Sequence, residues 1–144
     1  MSLNFHRFDL LSVKPEHDAP PHEKILDGDP KHTTWNFEDV DGVLCGVWES
    51  TPGAWRVTYT EWEYCRIISG HSVLEEKGGG IHELKAGDSF VIRPGFKGIW
   101  RVIETTRKEY VIKSEARSLG RLLRNGLYGR IGIVDLLKHC GDIF

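Results

Sequence analysis

Glu63 and Cys65 are the residues whose types and spacing first suggest chemistry. Both lie in the run Glu63-Tyr-Cys-Arg-Ile-Ile-Ser-Gly70, which reads as a strand ending on glycine, and residues two apart on a strand share a face. A carboxylate on an inward face can serve as a general acid when desolvation raises its pKa, or as a structural hydrogen-bond acceptor. A thiol is nucleophilic only as a thiolate, and Cys65 has no basic partner visible in sequence, so an inert core thiol is the simpler reading. Glu61 and Glu63 have the spacing of paired carboxylates for glycoside hydrolysis, but Glu61 belongs to the turn before Trp62 and that chemistry is set aside. Arg93 and Lys97 are two cations able to receive a carboxylate, with solvated surface charge as the alternative.

The elements that must position these groups are short strands. The Pro52-Gly53 pair supplies the turn of one hairpin and Gly78-Gly79-Gly80 the tip of another. Strands are expected over 43–49, 55–60, 62–69, 72–76, 80–84, 89–93, 98–105 and 108–113, an even rhythm that suits a sandwich or small barrel rather than βαβ units. Ahead of them, residues 1–32 read as an extended arm with a short strand over 4–12, because Pro15, Pro20, Pro21 and Pro30 forbid a long element. The arm is expected to pack along the body or a neighbouring subunit, and its His17 and His22 read as solvated loop residues rather than ligands. After a barrel over 33–113, residues 114–144 read as a helical tail, with Ser114 as a cap and Leu119, Leu122 and Leu123 at helical spacing.

Composition narrows the classes of function. The 144 residues suit one domain, and the formal net charge of -2 without any Lys/Arg block argues against nucleic acid as a partner. The three cysteines, at 45, 65 and 140, lack Cys-x-x-Cys spacing, so neither a disulfide framework nor a zinc ribbon is expected. No apolar run is long enough for a signal peptide or a membrane span, and a cytoplasmic location is the expectation. The proline-rich arm and five tryptophans offer more apolar surface than one barrel covers, which leads to an expected homodimer.

Two segments carry a resemblance. Glu63 followed by Gly70, and Gly87-Asp88 leading through a strand to Arg93-Pro-Gly95, resemble the two sequence motifs of cupins. Gly46-Val-Trp-Glu-Ser-Thr-Pro-Gly53, Tyr59-Thr-Glu-Trp-Glu-Tyr-Cys65, Gly95-Phe-Lys-Gly-Ile-Trp100 and Arg107-Lys-Glu-Tyr110 are similar to the small cupins grouped with ureidoglycine aminohydrolases and ethanolamine-utilisation cupins. The resemblance implies an all-β double-stranded β-helix, or jelly-roll barrel, and a metal held by three His and one Glu. At those ligand positions this chain has Val57 and Tyr59 at the shorter spacing, or Arg56 and Thr58 at the longer, and Gly98 at the last, leaving Glu63 alone, and one carboxylate cannot supply the three protein ligands a catalytic transition metal uses. No metal or other cofactor is therefore expected.

Under the same correspondence Val57, Tyr59, Glu63, Cys65 and Trp100 face the barrel interior, with Arg93 and Lys97 at its mouth, a setting for a small ligand. Tyr59 or Trp100 is the expected hydrogen-bond partner of Glu63, the best catalytic candidate. Two functions from different classes follow: a metal-free binder of a small polar or carboxylate-bearing metabolite, or an enzyme of nitrogen or small-acid metabolism similar to ureidoglycine aminohydrolase. A structural or assembly role without ligand is a third. For the binder, Glu63→Gln is expected to hold or raise stability while ligand binding weakens.

Overall fold

A computed structural model of the chain describes residues 4–114. Nine strands follow in order: β1 Glu16–Asp18, β2 Ile25–Gly28, β3 His32–Val40, β4 Val43–Ser50, β5 Gly53–Thr58, β6 Trp62–Glu76, β7 Ile81–Lys85, β8 Ser89–Ile92 and β9 Lys97–Lys113. Every pairing is antiparallel. The expected helical tail falls outside the described residues, save for Ser114, whose backbone N–H donates to Gly42 O at 2.8 Å.

Two long strands organise the rest. The sequence suggests a break between 62–69 and 72–76 and another between 98–105 and 108–113, yet β6 and β9 run through both positions. The C-terminal part of β9 pairs with β4 on one side and the start of β6 on the other, while its N-terminal part pairs with β5 and the end of β6. One half of the curled sheet is thus β1-β3-β4-β9-β6-β8 and the other β2-β5-β9-β6-β7. The bend lies at Gly70, where the β6–β9 register is irregular. Gly70 has φ +93°, and a Cβ there would stand 2.1 Å from Thr105 O, so only glycine lets the two strands stay in contact through the turn. Beside it Ser72 Oγ and Thr106 Oγ1 share a buried hydrogen bond of 2.6 Å.

The halves close on an apolar core. On β6 Glu63, Cys65 and Ile67 point inward while Trp62, Tyr64 and Arg66 do not; on β9 the inward set is Thr106, Lys108, Tyr110 and Ile112, the period of two that a half-buried strand imposes. Trp48 from one half meets Trp55 and Trp100 from the other, with ring centroids 6.2 and 5.9 Å apart. Aromatic rings of this size each bury on the order of 150–250 Å², which makes the tryptophan cluster the main apolar contact between the halves.

The arm also contributes to the sheet. Residues 4–12 are not a strand: Leu10–Ser12 forms a single 3-10 turn capped by the Asp9 side chain, a local hydrogen bond that competes with extended pairing. Further on, β1 joins β3 in one half and β2 joins β5 in the other. Residues 19–24 therefore cross from one half to the other, with Pro20 buried beneath them.

Candidate functional site

Under that crossing lies a cavity of about 100 Å³, room for a molecule of a few heavy atoms or for water. Its roof is Ala19, Pro20, Pro21 and Lys24. The walls are Trp48, Trp55, Val57, Tyr59 and Trp100, and Glu63, Lys108 and Tyr110 reach it from β6 and β9. Tyr59 is placed by the loop after β5, where Gly95 N donates to Tyr59 O at 2.7 Å and Tyr59 N donates to Phe96 O at 2.9 Å.

The buried polar centre is an ion pair. Lys108 Nζ donates to Glu63 Oε1 at 3.0 Å, with side chains 6% and 3% exposed. It also approaches Cys65 Sγ at 3.5 Å and stands 4.9 and 4.7 Å from the ring centroids of Trp48 and Trp100. Two indole faces and a carboxylate together offset the desolvation of an ammonium, cation–π contact being worth about 2 kcal/mol when water is excluded. Burial alone would pull the Lys108 pKa down, but the attraction of Cys65 and Glu63 outweighs it and the net shift is upward. Burial, and then the charge of Glu63, pushes the Cys65 thiol well above its usual range, so the thiol stays protonated and Glu63 is the neighbour that holds Lys108 charged at neutral pH. Tyr110 is raised in the same way, by burial first and then by Glu63. A neutral, fully buried thiol is no nucleophile.

Two residues lining the cavity carry a buried side-chain nitrogen without a partner among the described residues. Trp100 Nε1 and His32 Nε2 are both buried and have no hydrogen-bond partner among the described residues, and each residue lines the cavity. His32 is held by Asp18, whose Oδ1 lies 3.4 Å from Nδ1, and by the rings of Trp48 and Trp55 at 5.0 and 4.9 Å. An unsatisfied buried donor costs about 1–3 kcal/mol, so such atoms mark where a bound molecule or water completes the site.

The structure sorts the residues singled out by sequence. Val57, Tyr59, Glu63 and Trp100 border the one cavity. Cys65 does not: it lies fully buried behind the ion pair. Arg93 is not at this cavity either but lines a separate depression with Pro94 and Phe96, bordered by β7 and β8, and Lys97 borders neither. The paired cations expected at the barrel mouth are thus replaced by Lys108 inside it. The partner of Glu63 is likewise Lys108, not Tyr59 or Trp100. Lys108 was not singled out by sequence; the signal that could have found it is strand parity, since Lys108 lies at even spacing from Trp100 and two residues before Tyr110 on β9.

The residues present do not fit a cupin metal. Among the described residues no group of three or more His, Cys, Asp or Glu side chains is gathered to hold an ion. The place beside Glu63 is taken by an ammonium, and at position 98 the backbone excludes any side chain, since a Cβ on Gly98 would stand 1.8 Å from Glu75 O.

The double-stranded β-helix, with a cavity between its two halves, defines a cupin. The chain belongs to the EutQ-like cupin family, whose domain matches residues 37–110. Among solved structures it is similar to a protein of unknown function from Pseudomonas syringae pv. tomato, with TM-score 0.63 and 25% identity over 70% of this chain and 44% of that one. It is also similar to EutQ from Clostridium difficile, with TM-score 0.54 and 20% identity over 58% of this chain and 63% of that one. A third similar fold is a protein of unknown function from Acidithiobacillus ferrooxidans, with TM-score 0.51 and 21% identity over 69% and 86% of the two chains. This chain therefore spans less than two thirds of the length of the first two. No curated protein matches the sequence. Among the described residues no helix is long and apolar enough to cross a membrane.

Proposed function

We propose that this protein is a metal-free cupin that holds a small polar metabolite inside the barrel. The observation that carries the reading is the cavity lined by a residue whose buried indole N–H has no acceptor among the described residues, next to a buried ion pair. A purely structural core would leave neither a cavity nor an orphan donor at that point, because cores pack to high density and pair their polar groups. The ammonium beside Glu63 and the closed backbone at Gly98 support the metal-free part of the reading.

The test joins elemental analysis of the purified protein with a thermal-shift screen of small polar metabolites. The expected result is no stoichiometric transition metal, together with compounds that raise the melting temperature of the parent protein but not of Val57→Phe, whose larger side chain fills the cavity. A ligand at about 100 times its Kd adds roughly 2.7 kcal/mol of stability, well within reach of a melt. About one Mn, Fe, Ni or Zn per chain overturns the metal-free reading, and equal shifts in Val57→Phe overturn the cavity as the binding place.

A further inference from the structure

Lys108 occupies a position with no obvious structural need. Its neighbours on the inward face of β9 are Thr106, Tyr110 and Ile112, and an apolar side chain of similar length would avoid the desolvation of an ammonium and remove the need for Glu63 as counter-ion. An ammonium has three N–H donors; Glu63 and Cys65 lie along two directions at 3.0 and 3.5 Å, and the residue itself borders the cavity. Trp100, over whose ring the ammonium sits at 4.7 Å, lines the same cavity, and its buried Nε1–H has no partner among the described residues. An ammonium and an indole N–H lining one small space call for an anionic acceptor with two oxygens.

We propose that Lys108 is the anion receptor of this barrel, an organic cation standing beside Glu63 where other cupins carry a metal, and that its ligand is a small monocarboxylic acid. One carboxylate oxygen takes the third N–H of Lys108 Nζ and the other takes Trp100 Nε1–H, a charge-assisted pair of hydrogen bonds in a mostly apolar, partly covered site. Glu63 is a positioning residue: it holds the ammonium in place and charged, and does not touch the ligand. The volume of about 100 Å³ limits the acid to a few heavy atoms. This inference rests on the barrel being a binding site, and deepens that reading by naming the chemical class of its ligand.

The test uses the full chain with its tryptophans labelled at the indole nitrogen, titrated with acetate, glycolate and pyruvate and, in parallel, with acetamide and glycolamide. The expected result is a saturable shift of one indole N–H signal, the one missing from Trp100→Phe, with each amide binding at least about tenfold more weakly than its acid, a factor equivalent to 1.4 kcal/mol. Lys108→Met is expected to abolish binding of the acids. Trp100→Phe gives the second reading should Lys108→Met fail to fold, and is expected to bind the acids about tenfold more weakly. Amides binding as tightly as acids, or either variant keeping full affinity, overturns the anion receptor while leaving a barrel that binds polar molecules. No shift with any acid or amide at millimolar concentration overturns both.

Discussion

Lys108 donates a 3.0 Å hydrogen bond to Glu63 from the opposite strand, and neither side chain is more than 6% exposed. The pair explains why a carboxylate can stand on the inner face of β6 at all, since a buried charge is tolerated only when paired and hydrogen-bonded.

That partnership reverses the sign expected from sequence for Glu63→Gln. Removing the charge leaves an ammonium uncompensated in the core, at a cost of about 3 kcal/mol, so the variant is expected to melt earlier than the parent. Lys108→Met strands Glu63 in the same way. The double variant Glu63→Gln/Lys108→Met removes both charges and is expected to recover most of the loss. Chemical denaturation of the four proteins measures the coupling; additive losses would show that the two charges do not depend on each other.

Alkaline pH is expected to unfold the barrel. Cys65 has an ordinary pKa of 9.0 and Tyr110 one of 10.0, and burial raises both; Lys108, ordinarily 10.5, is raised by its neighbours Cys65 and Glu63 against the pull of burial. In each case the unfolded chain gives up its proton first, the native state holds more protons, and stability falls as pH rises. The decline begins near pH 9 with Cys65 and steepens past 10.5 with Lys108. Melts across the alkaline range read it, and Cys65→Ala is expected to delay the onset toward the Tyr110 value of 10.0. A melting temperature flat to pH 11, about two units past the thiol's ordinary value, would contradict the burial of these groups.

Gly98→His does not restore a metal site. The backbone of β6 occupies the space, with Glu75 O 1.8 Å from the position of the new Cβ, so the substitution is expected to cost about 3 kcal/mol through overpacking. Elemental analysis of any folded variant is expected to find no bound transition metal; one ion per chain would show that the strand can move aside.

Gly70→Ala and Gly78→Ala separate collision from backbone preference. Both glycines have positive φ, +93° and +72°, but an added Cβ meets Thr105 O at 2.1 Å in the first and nothing within 4 Å in the second. A left-handed conformation alone costs roughly 1–2 kcal/mol, the loss expected at Gly78. At Gly70 the loss is expected to exceed about 3 kcal/mol, because the bend of β6 must also open. Equal losses would place Gly70 outside the β6–β9 contact.

Part of the barrel could be read from sequence because turns punctuate it: the three glycines before β7 mark the reversal of the β6–β7 hairpin. Pro52-Gly53, expected as the turn of another hairpin, is not one: β4 and β5 do not pair but run in the same direction along β9, on different halves, so this Pro-Gly pair marks a step between two collinear strands. Glu63, Val57, Tyr59 and Trp100 could be placed at one cavity because strand parity carries across a known arrangement of strands. Gly70 misled that reading, since a glycine between two apolar runs looks like a turn and is here a bend within one strand. The strands β1 and β2 were illegible for another reason: at three and four residues they exist only through pairing with β3 and β5. Cys65 and Lys108 show the limit of parity. Both face inward, but only the packing of Trp48 and Trp100 decides which of them reaches the cavity and which is sealed behind the ion pair.

The passage of β6 and β9 through both halves also governs how the barrel forms. Val43 pairs with Lys113 across 70 positions of sequence, and Trp62 pairs with the same lysine, so neither half can assemble until distant segments have met. Closing such long loops before any contact rewards them places folding on the order of milliseconds to seconds rather than microseconds. It also means that the halves share two strands and cannot melt apart: amide protons of β4 and β5, though on different halves, exchange through the same global opening.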